Sequence, residues 1–550
     1  MLLGMHLIQG VVNMANSILS VKGLSVQFQT DSEQVLAVDD ISFDIFESET
    51  FGLVGESGSG KSISALAVLR LLPRSAQMSG NHVYFKNQDL LTLTETGMCQ
   101  IRGRRIAMIF QDPMVALNPV KSIGFQIAEV IKIHFKLPLP DIYDRVLMLL
   151  RQVEIPSPES RIHDYPHQFS GGQLQRIMIA AALAGEPDLL IADEPTTALD
   201  VTIQAQILTL LKSIQDQVGM SLWLISHDLA LVSTVVDRVA VMQKGRIVEV
   251  APTTQLFKHP EHPYTQTLLA ALPSLNSCNA GALLTRNNLL EVKDIRISYP
   301  VRKGIFNRVV SHIKAVDGVS FSIQEGKTLA LVGESGCGKT TLGKGLLNLI
   351  ADVEGQILWL GKDINGLQGN SLRRMRSNIQ IIFQDPFSSM NPRMLVGQII
   401  DEGMRALHPQ LSSERRHSKV AELLQQVGLP VECAMRYPHE FSGGQRQRIC
   451  IARALAVQPK LIICDEPTSA LDVSVQEKII VLLKSLQQQY GMSYLFITHD
   501  LAVVAEIADE LAVMYQGKIV ESGPVYQVLN DPQQPYTQRL LNAVPKIIRD

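Results

Sequence analysis

The sequence predicts an α/β fold written twice along one chain, each copy a largely parallel sheet flanked by helices. Two observations carry this reading. Short continuous apolar runs, at 50–54 and 189–192 and again at 328–332 and 461–464, alternate with helical patterns. The whole series also recurs: Lys61 pairs with Lys339, Gln111 with Gln384, Ser170 with Ser442, Asp193 with Asp465, His227 with His499 and Tyr264 with Tyr536, always roughly 270–280 residues apart. At 550 residues the chain is too long for one ordinary domain. The repeat divides it into a first unit at 17–273, a linker at 274–288 and a second unit at 289–550.

Each copy opens with strand-like alternation, at 19–28 and 290–299. A second strand runs into a glycine-rich loop, Gly55-Glu-Ser-Gly58-Ser-Gly60-Lys61-Ser62 in one copy and Gly333-Glu-Ser-Gly336-Cys-Gly338-Lys339-Thr340 in the other. Helices are expected at 63–72 and 342–350. Polar segments follow, with basic clusters at 102–105 and 373–376 that read as solvated surface. Next come a strand ending in Phe-Gln-Asp-Pro and helix-rich stretches at 122–153 and 396–427, which predict a helical subdomain. Then comes Tyr-Pro-His-x-Phe-Ser-Gly-Gly-Gln, with helices beginning near Leu174 and Arg446. A hairpin pattern at 239–249 and 511–521 turns at Lys244-Gly245 and Gln516-Gly517.

Composition narrows the classes. The chain is 46% hydrophobic and 19% charged with a formal charge of −3, so nothing general points to nucleic acid. Six cysteines (Cys99, Cys278, Cys337, Cys433, Cys450 and Cys464) form no C-x-x-C pair, which argues against a zinc ribbon or disulfide framework and fits a reducing compartment. The first 21 residues lack Lys, Arg, Asp and Glu, yet Gln9, Asn13, Asn16, Ser17 and Ser20 interrupt the apolar run and no positive segment precedes it. The expectation is an over-extended start, with Met14 the true one, rather than a membrane span or signal peptide.

Strand, glycine-rich loop and helix opening on Lys-Ser or Lys-Thr form a phosphate-binding loop. Its glycines let backbone N–H groups close around an anion at the positive end of the helix. Lys61 and Lys339 would reach the outer phosphates, and Ser62 and Thr340 would place a hydroxyl on Mg²⁺. The apolar runs 189–192 and 461–464 end in Asp193-Glu194 and Asp465-Glu466. Adjacent carboxylates at the end of a buried strand need a partner. A Mg²⁺ beside the phosphate loop supplies one for the Asp, and the Glu is placed to polarise a water for attack on a γ-phosphate. Read alone, the pair would cap a helix begun by Pro195 or Pro467. Ser170-Gly171-Gly172-Gln173 and Ser442-Gly443-Gly444-Gln445 open helices with N–H groups that bind an anion or serve as an ordinary cap.

Together these motifs resemble the ATP-binding cassette (ABC) ATPases, in tandem and over nearly all of both halves. The resemblance implies two P-loop nucleotide-binding domains, each with a mainly parallel sheet core, an antiparallel β subdomain and a helical subdomain. It implies ATP and Mg²⁺, with each ATP shared between the P-loop of one cassette and the signature of the other in an intramolecular cassette dimer. Gln111 and Gln384 match the Q-loop glutamine, which touches Mg²⁺ and relays to membrane subunits. His227 and His499 match the switch histidine on the γ-phosphate. Asp200 and Asp472 match the D-loop, and Phe28 and Tyr299 match the aromatic that stacks on adenine. The copies differ at Ala181 against Arg453 and Ser62 against Thr340. Neither change removes a catalytic group, so two hydrolysing sites are expected, with Glu194, Glu466, His227 and His499 in the catalytic roles.

Tails after each cassette, His262-Pro-Tyr264-Thr and Gln534-Pro-Tyr536-Thr, are similar to those of the oligopeptide/dipeptide/nickel uptake ATPases. So are Gly-Glu-Ser-Gly in both loops, Tyr-Pro-His before both signatures and the segment from Tyr299 to Phe306. A fused pair resembles the type linked to uptake of peptides and the peptide-nucleotide antibiotic microcin C. This implies two integral-membrane permeases, an extracytoplasmic substrate-binding protein, no nucleic acid, and a peripheral place on the cytoplasmic face of the inner membrane. ATP binding would close the cassettes and hydrolysis reopen them. An iron–sulfur cluster is not expected, since the segment after the first cassette holds only Cys278. The alternative, a soluble tandem ATPase acting on ribosomes or nucleic acid, would have a long charged linker or zinc-binding insertions.

Overall fold

Runs that are apolar throughout, rather than alternating, mark the strands at the centre of each half, and every residue of Thr50–Val54, Leu189–Asp193 and Ser221–Ser226 is buried. Strands covered on both faces read this way. The structure is a computed structural model that describes residues 17–29, 34–197, 199–272, 287–303, 308–350, 352–469 and 471–544. Residues 1–16 with Met14, most of the linker with Cys278, and Phe306 lie outside the described residues. The described residues divide into two compact units, the first built from 17–199 with 203–272, the second from 287–544 with 200–202.

The first unit holds a six-stranded sheet in the order Arg246–Pro252, Arg238–Gln243, Thr50–Val54, Ser221–Ser226, Leu189–Asp193, Ile106–Ile109. Neighbours run parallel except in the outer hairpin. The second unit repeats the order with Lys518–Pro524, Glu510–Tyr515, Thr328–Val332, Ser493–Thr498, Leu461–Asp465 and Ile379–Ile382. An antiparallel sheet packs beside each, formed around Ser17–Gln29 with Gln34–Phe46 and around Asn288–Lys303 with Arg308–Gln324. In the first unit Phe43 reaches from this sheet to Trp223 and Phe51, with ring centroids 5.1 and 5.4 Å away. The helical subdomain comprises Ile123–His134, Leu139–Gln152 and Gly171–Leu183, matched by Val396–Leu407, Ser413–Gln426 and Gly443–Leu455. Leu139–Gln152 buries Ile142, Val146, Leu149 and Leu150, a single helical face. The architecture is the predicted one: a mainly parallel core, an antiparallel sheet and helices, twice.

Two expectations are corrected. The helices after the glycine-rich loops run Lys61–Val68 and Lys339–Leu346, starting and stopping earlier than 63–72 and 342–350. They start early because Gly60 and Gly338 cap them at φ 105° and 109°; a Cβ on Gly338 would sit 2.1 Å from the Ala315 carbonyl oxygen. They stop where Arg70 and Asn348 turn left-handed, at φ 51° and 52°. The basic clusters are not simply solvated surface. Arg102 donates from Nε to the Leu69 carbonyl at 2.7 Å and from Nη2 to that of Arg70 at 3.1 Å. Arg376 donates likewise to Leu347 at 3.2 Å and Asn348 at 2.9 Å. Carbonyls that end a helix have no partner within it, and a guanidinium there satisfies them and complements the negative end of the dipole. No helix among the described residues is long and apolar enough to cross a membrane.

Candidate functional site

Parallel pairing gathers the motifs of each half on one sheet edge. Val54 lies level with Ser226, Ile225 with Asp193, and Ala192 with Ile109. The glycine-rich loop, His227, Asp193-Glu194 and Gln111 therefore leave the same ends of four adjacent strands, the edge where open α/β sheets bind ligands. The second half repeats this, with Val332 level with Thr498, Ile497 with Asp465, and Cys464 with Ile382.

Within the loop, Lys61 Nζ donates to the carbonyls of Gly55 at 2.8 Å and Glu56 at 2.9 Å. Lys339 Nζ donates to those of Gly333 at 2.6 Å and Glu334 at 3.0 Å. Both lysines are buried. Gly58 and Gly336 take φ 76° and 79° and leave open space over the loop. Ser62 Oγ donates to Asp193 Oδ1 at 2.9 Å, and Thr340 Oγ1 to Asp465 Oδ1 at 2.9 Å.

The glutamates sit at the centre of a polar cluster. Gln111 Nε2 donates to Glu194 Oε2 at 2.8 Å, and His227 Nδ1 lies 3.2 Å from Glu194 Oε1. Gln384 Nε2 donates to Glu466 Oε2 at 2.9 Å, and His499 Nδ1 lies 3.4 Å from Glu466 Oε1. Both glutamates have a left-handed backbone, φ 47°, an unusual state for a side chain of this size. Neither carboxylate pair caps a helix, because the helix in each case begins later, at Val201 or Val473.

The histidine divides the two carboxylates. Burial pushes Asp193 up to about 6, against the hydrogen bond from Ser62 and with help from the Glu194 charge. Burial presses on Glu194 too, but the hydrogen bond and charge of His227 hold it down, at about 2. In the second half burial raises Asp465, while Glu466 ends below its ordinary value because His499 outweighs burial. His499 is raised in turn, its bond with Glu466 outweighing burial. The arrangement holds an ionised glutamate beside an aspartate that gains from a cation.

The donors fit Mg²⁺. A hydroxyl, a carboxylate and the Gln111 or Gln384 amide oxygen are all hard oxygen ligands. Among the described residues no group of three His, Cys, Asp or Glu side chains could cage a metal. Mg²⁺ is commonly held by one or two protein oxygens together with substrate phosphates.

Ser170 and Ser442 cap their helices, each Oγ accepting the N–H three residues on at 3.4 Å, with the Gln173 and Gln445 side chains returning the bond. Ser170, Gly171, Ser442, Gly443 and Gln445 are exposed, Gly172, Gly444 and Gln173 half-buried. Asp200 is buried just before the helix Val201–Val218, and Asp472 stands just before Val473–Tyr490. Phe28 packs against the core of the first unit, whereas Tyr299 is exposed. Thr197 was not anticipated. Its Oγ1 donates to Glu194 Oε2 at 2.8 Å, and the only sequence cue is the Thr-Thr after Glu-Pro.

Comparison with known proteins agrees with the geometry. The sequence matches the ABC transporter family over 38–197 and 316–469. It matches the oligopeptide/dipeptide transporter C-terminal region over 248–294 and 520–550. It is 48% identical over 527 residues to the peptidoglycan transport ATP-binding protein YejF of Agrobacterium fabrum, covering 96% of each chain. It is 46% identical over 561 residues to the glutathione import ATP-binding protein GsiA of Salmonella choleraesuis, covering 96% of this chain and 90% of that one. Archaeal ribosome recycling factor aABCE1, solved in complex with the ribosomal stalk protein aP1, shares the fold over 90% of both chains, with a TM-score of 0.59 at 18% identity. Two copies of one ATP-handling edge, each with its glycine-rich loop, glutamine and Asp-Glu pair inside a matched family segment, place this chain in the ABC transporter family as an ATPase with both cassettes on a single polypeptide.

Proposed function

We propose that the chain powers an importer of peptides or peptide-like compounds from the cytoplasmic face of the inner membrane, with two integral-membrane permeases and an extracytoplasmic substrate-binding protein as partners. The observation that carries the ATPase half is the convergence of loop, Asp-Glu, glutamine and histidine on one sheet edge in both cassettes. The importer half is supported by the tail match and by the two relatives, whose names place them in peptidoglycan transport and glutathione import.

The chemistry follows from residues in place. Lys61 and Lys339 exchange loop carbonyls for the outer phosphates of ATP. Glu194 and Glu466 take a proton from the attacking water, and His227 and His499 orient each carboxylate and stabilise the charge growing on the γ-phosphate. Ser62, Asp193 and Gln111 would hold Mg²⁺ in the first cassette and Thr340, Asp465 and Gln384 in the second, and the ion would neutralise charge on the phosphates. Gln111 bonds to Glu194 and begins a segment with exposed apolar side chains, Met114, Val115 and Val120, so nucleotide state at the carboxylate reaches a surface suited to a permease.

The test is reconstitution. The chain with its two permeases in vesicles should hydrolyse ATP faster when the binding protein delivers peptide. ATPase that follows ribosomes rather than membranes through fractionation overturns the reading.

A further inference from the structure

We propose that Tyr264 and Tyr536, in the tail helix after each cassette, are positioning residues for ATP binding, each hydroxyl fixing one residue of its own cassette's phosphate loop. The Tyr536 hydroxyl accepts the Glu334 N–H at 3.0 Å, and the Tyr264 hydroxyl accepts that of Glu56 at 3.4 Å. The carbonyls of the same two residues accept Lys339 Nζ at 3.0 Å and Lys61 Nζ at 2.9 Å. One loop residue is thus held between the tail and the lysine that serves the phosphates.

The tail is itself anchored. Glu249 accepts the N–H groups of Glu261 at 2.9 Å and His262 at 3.1 Å. Glu521 accepts those of Gln533 at 2.7 Å and Gln534 at 3.2 Å. Both glutamates lie on the outer hairpin strand of the parallel sheet. Tyr536 is buried with its ring 4.2 Å from Tyr515, and it clusters with Val332, the last residue before the loop. The helices Pro263–Ala270 and Pro535–Ala543 therefore brace the loop from the sheet edge.

When ATP arrives, each lysine must leave the glutamate carbonyl, whereas the tyrosine bond can persist. The tyrosine then holds the loop backbone while the other contact is exchanged. A glycine-rich segment loses much freedom on ordering, and a contact that orders it beforehand raises affinity. The proposal rests on these loops being the ATP phosphate cradle.

The test is the full-length chain carrying Tyr264→Phe and Tyr536→Phe together, which keeps both rings. Loss of the acceptor for a half-buried N–H should raise Kd and KM for ATP about five-fold, with kcat within about two-fold of wild type. Tyr494→Phe is the control, because it deletes a buried tyrosine hydroxyl, bonded to the Leu483 carbonyl at 2.9 Å, away from the loop. It should lower the thermal midpoint yet leave Kd for ATP unchanged. An unaltered Kd in the double variant, or an equal rise in Tyr494→Phe, overturns the proposal. Lys61→Ala with Lys339→Ala separates the underlying reading. If that pair abolishes ATP binding while the tyrosine pair leaves Kd for ATP unaltered, only the tail's role falls. If it too binds ATP like wild type, the loops are not the cradle.

Discussion

Replacing Glu466 with glutamine separates charge from shape at the proposed water-activating position. The backbone should hold, because the Glu466 N–H donates to the Ile497 carbonyl at 2.9 Å and the left-handed turn is set by the chain on both sides. An amide oxygen can still accept Gln384 Nε2, which now stands 2.9 Å from the carboxylate. It cannot take a proton from water. Removing a positioned base costs about 10²–10⁴ in rate, or about 3–5 kcal/mol of barrier. Lys339, Thr340 and Asp465 are untouched, so ATP should still bind. Glu194→Gln makes the same change in the first cassette, where Gln111 lies 2.8 Å from the carboxylate. Steady-state phosphate release from the full chain should fall by at least half in each single variant and by about 10²–10⁴ in the double. Each should bind a fluorescent ATP analogue as wild type does. Wild-type turnover in one single variant with none in the other would refute two hydrolysing sites. A double variant keeping more than about a tenth of its turnover would refute the glutamate as base.

Gly338→Ala should abolish ATP binding at the second cassette, since φ 109° and a Cβ 2.1 Å from the Ala315 carbonyl displace the loop; titration in a Lys61→Ala background reads this site alone. Arg376→Ala strands the Leu347 and Asn348 carbonyls, at about 1–3 kcal/mol. It should lower the melting midpoint by a few degrees in calorimetry, and Arg376→Lys should restore little because it lacks the fork. Burial raises the Glu249 carboxyl, but the Thr265 hydroxyl and the N–H groups of Glu261 and His262 hold it below its ordinary 4.5. Its hold on the tail is therefore complete above about that pH and is lost as pH falls through the lowered value. Protection of the tail amides against hydrogen exchange, taken relative to the intrinsic rate at each pH, should fall on acidification in wild type and be low at all pH values in Glu249→Gln.

The motifs that carry chemistry were legible because they are local. A glycine-rich loop between a strand and a helix, or two carboxylates after four apolar residues, states its geometry in a dozen letters, and the strand order then brings the pieces together. Arg102 and Arg376 were not legible. A basic cluster looks the same whether it faces water or reaches back about thirty residues to the end of a helix, and only the fold distinguishes the two. Thr197 and the tail tyrosines escaped for a related reason: a hydroxyl reveals nothing of its partner until packing supplies one. The left-handed backbone at Glu194 and Glu466 was hidden as well, because no residue type there announces it.

The parallel sheet also behaves as a comb whose teeth are evenly set. Strands lie about 4.8 Å apart, so the strand that feeds the phosphate loop and the strand that leads to Gln111 or Gln384 are three tooth gaps, about 14 Å, apart in both cassettes. That spacing belongs to backbone pairing and owes nothing to the length of chain between teeth. The first cassette runs about five residues longer between its loop lysine and its glutamine, yet Ile109 stays level with Ala192 as Ile382 does with Cys464. Insertions and deletions between the motifs can thus reshape the outer face of a cassette, where other proteins would dock, while the catalytic interval stays constant.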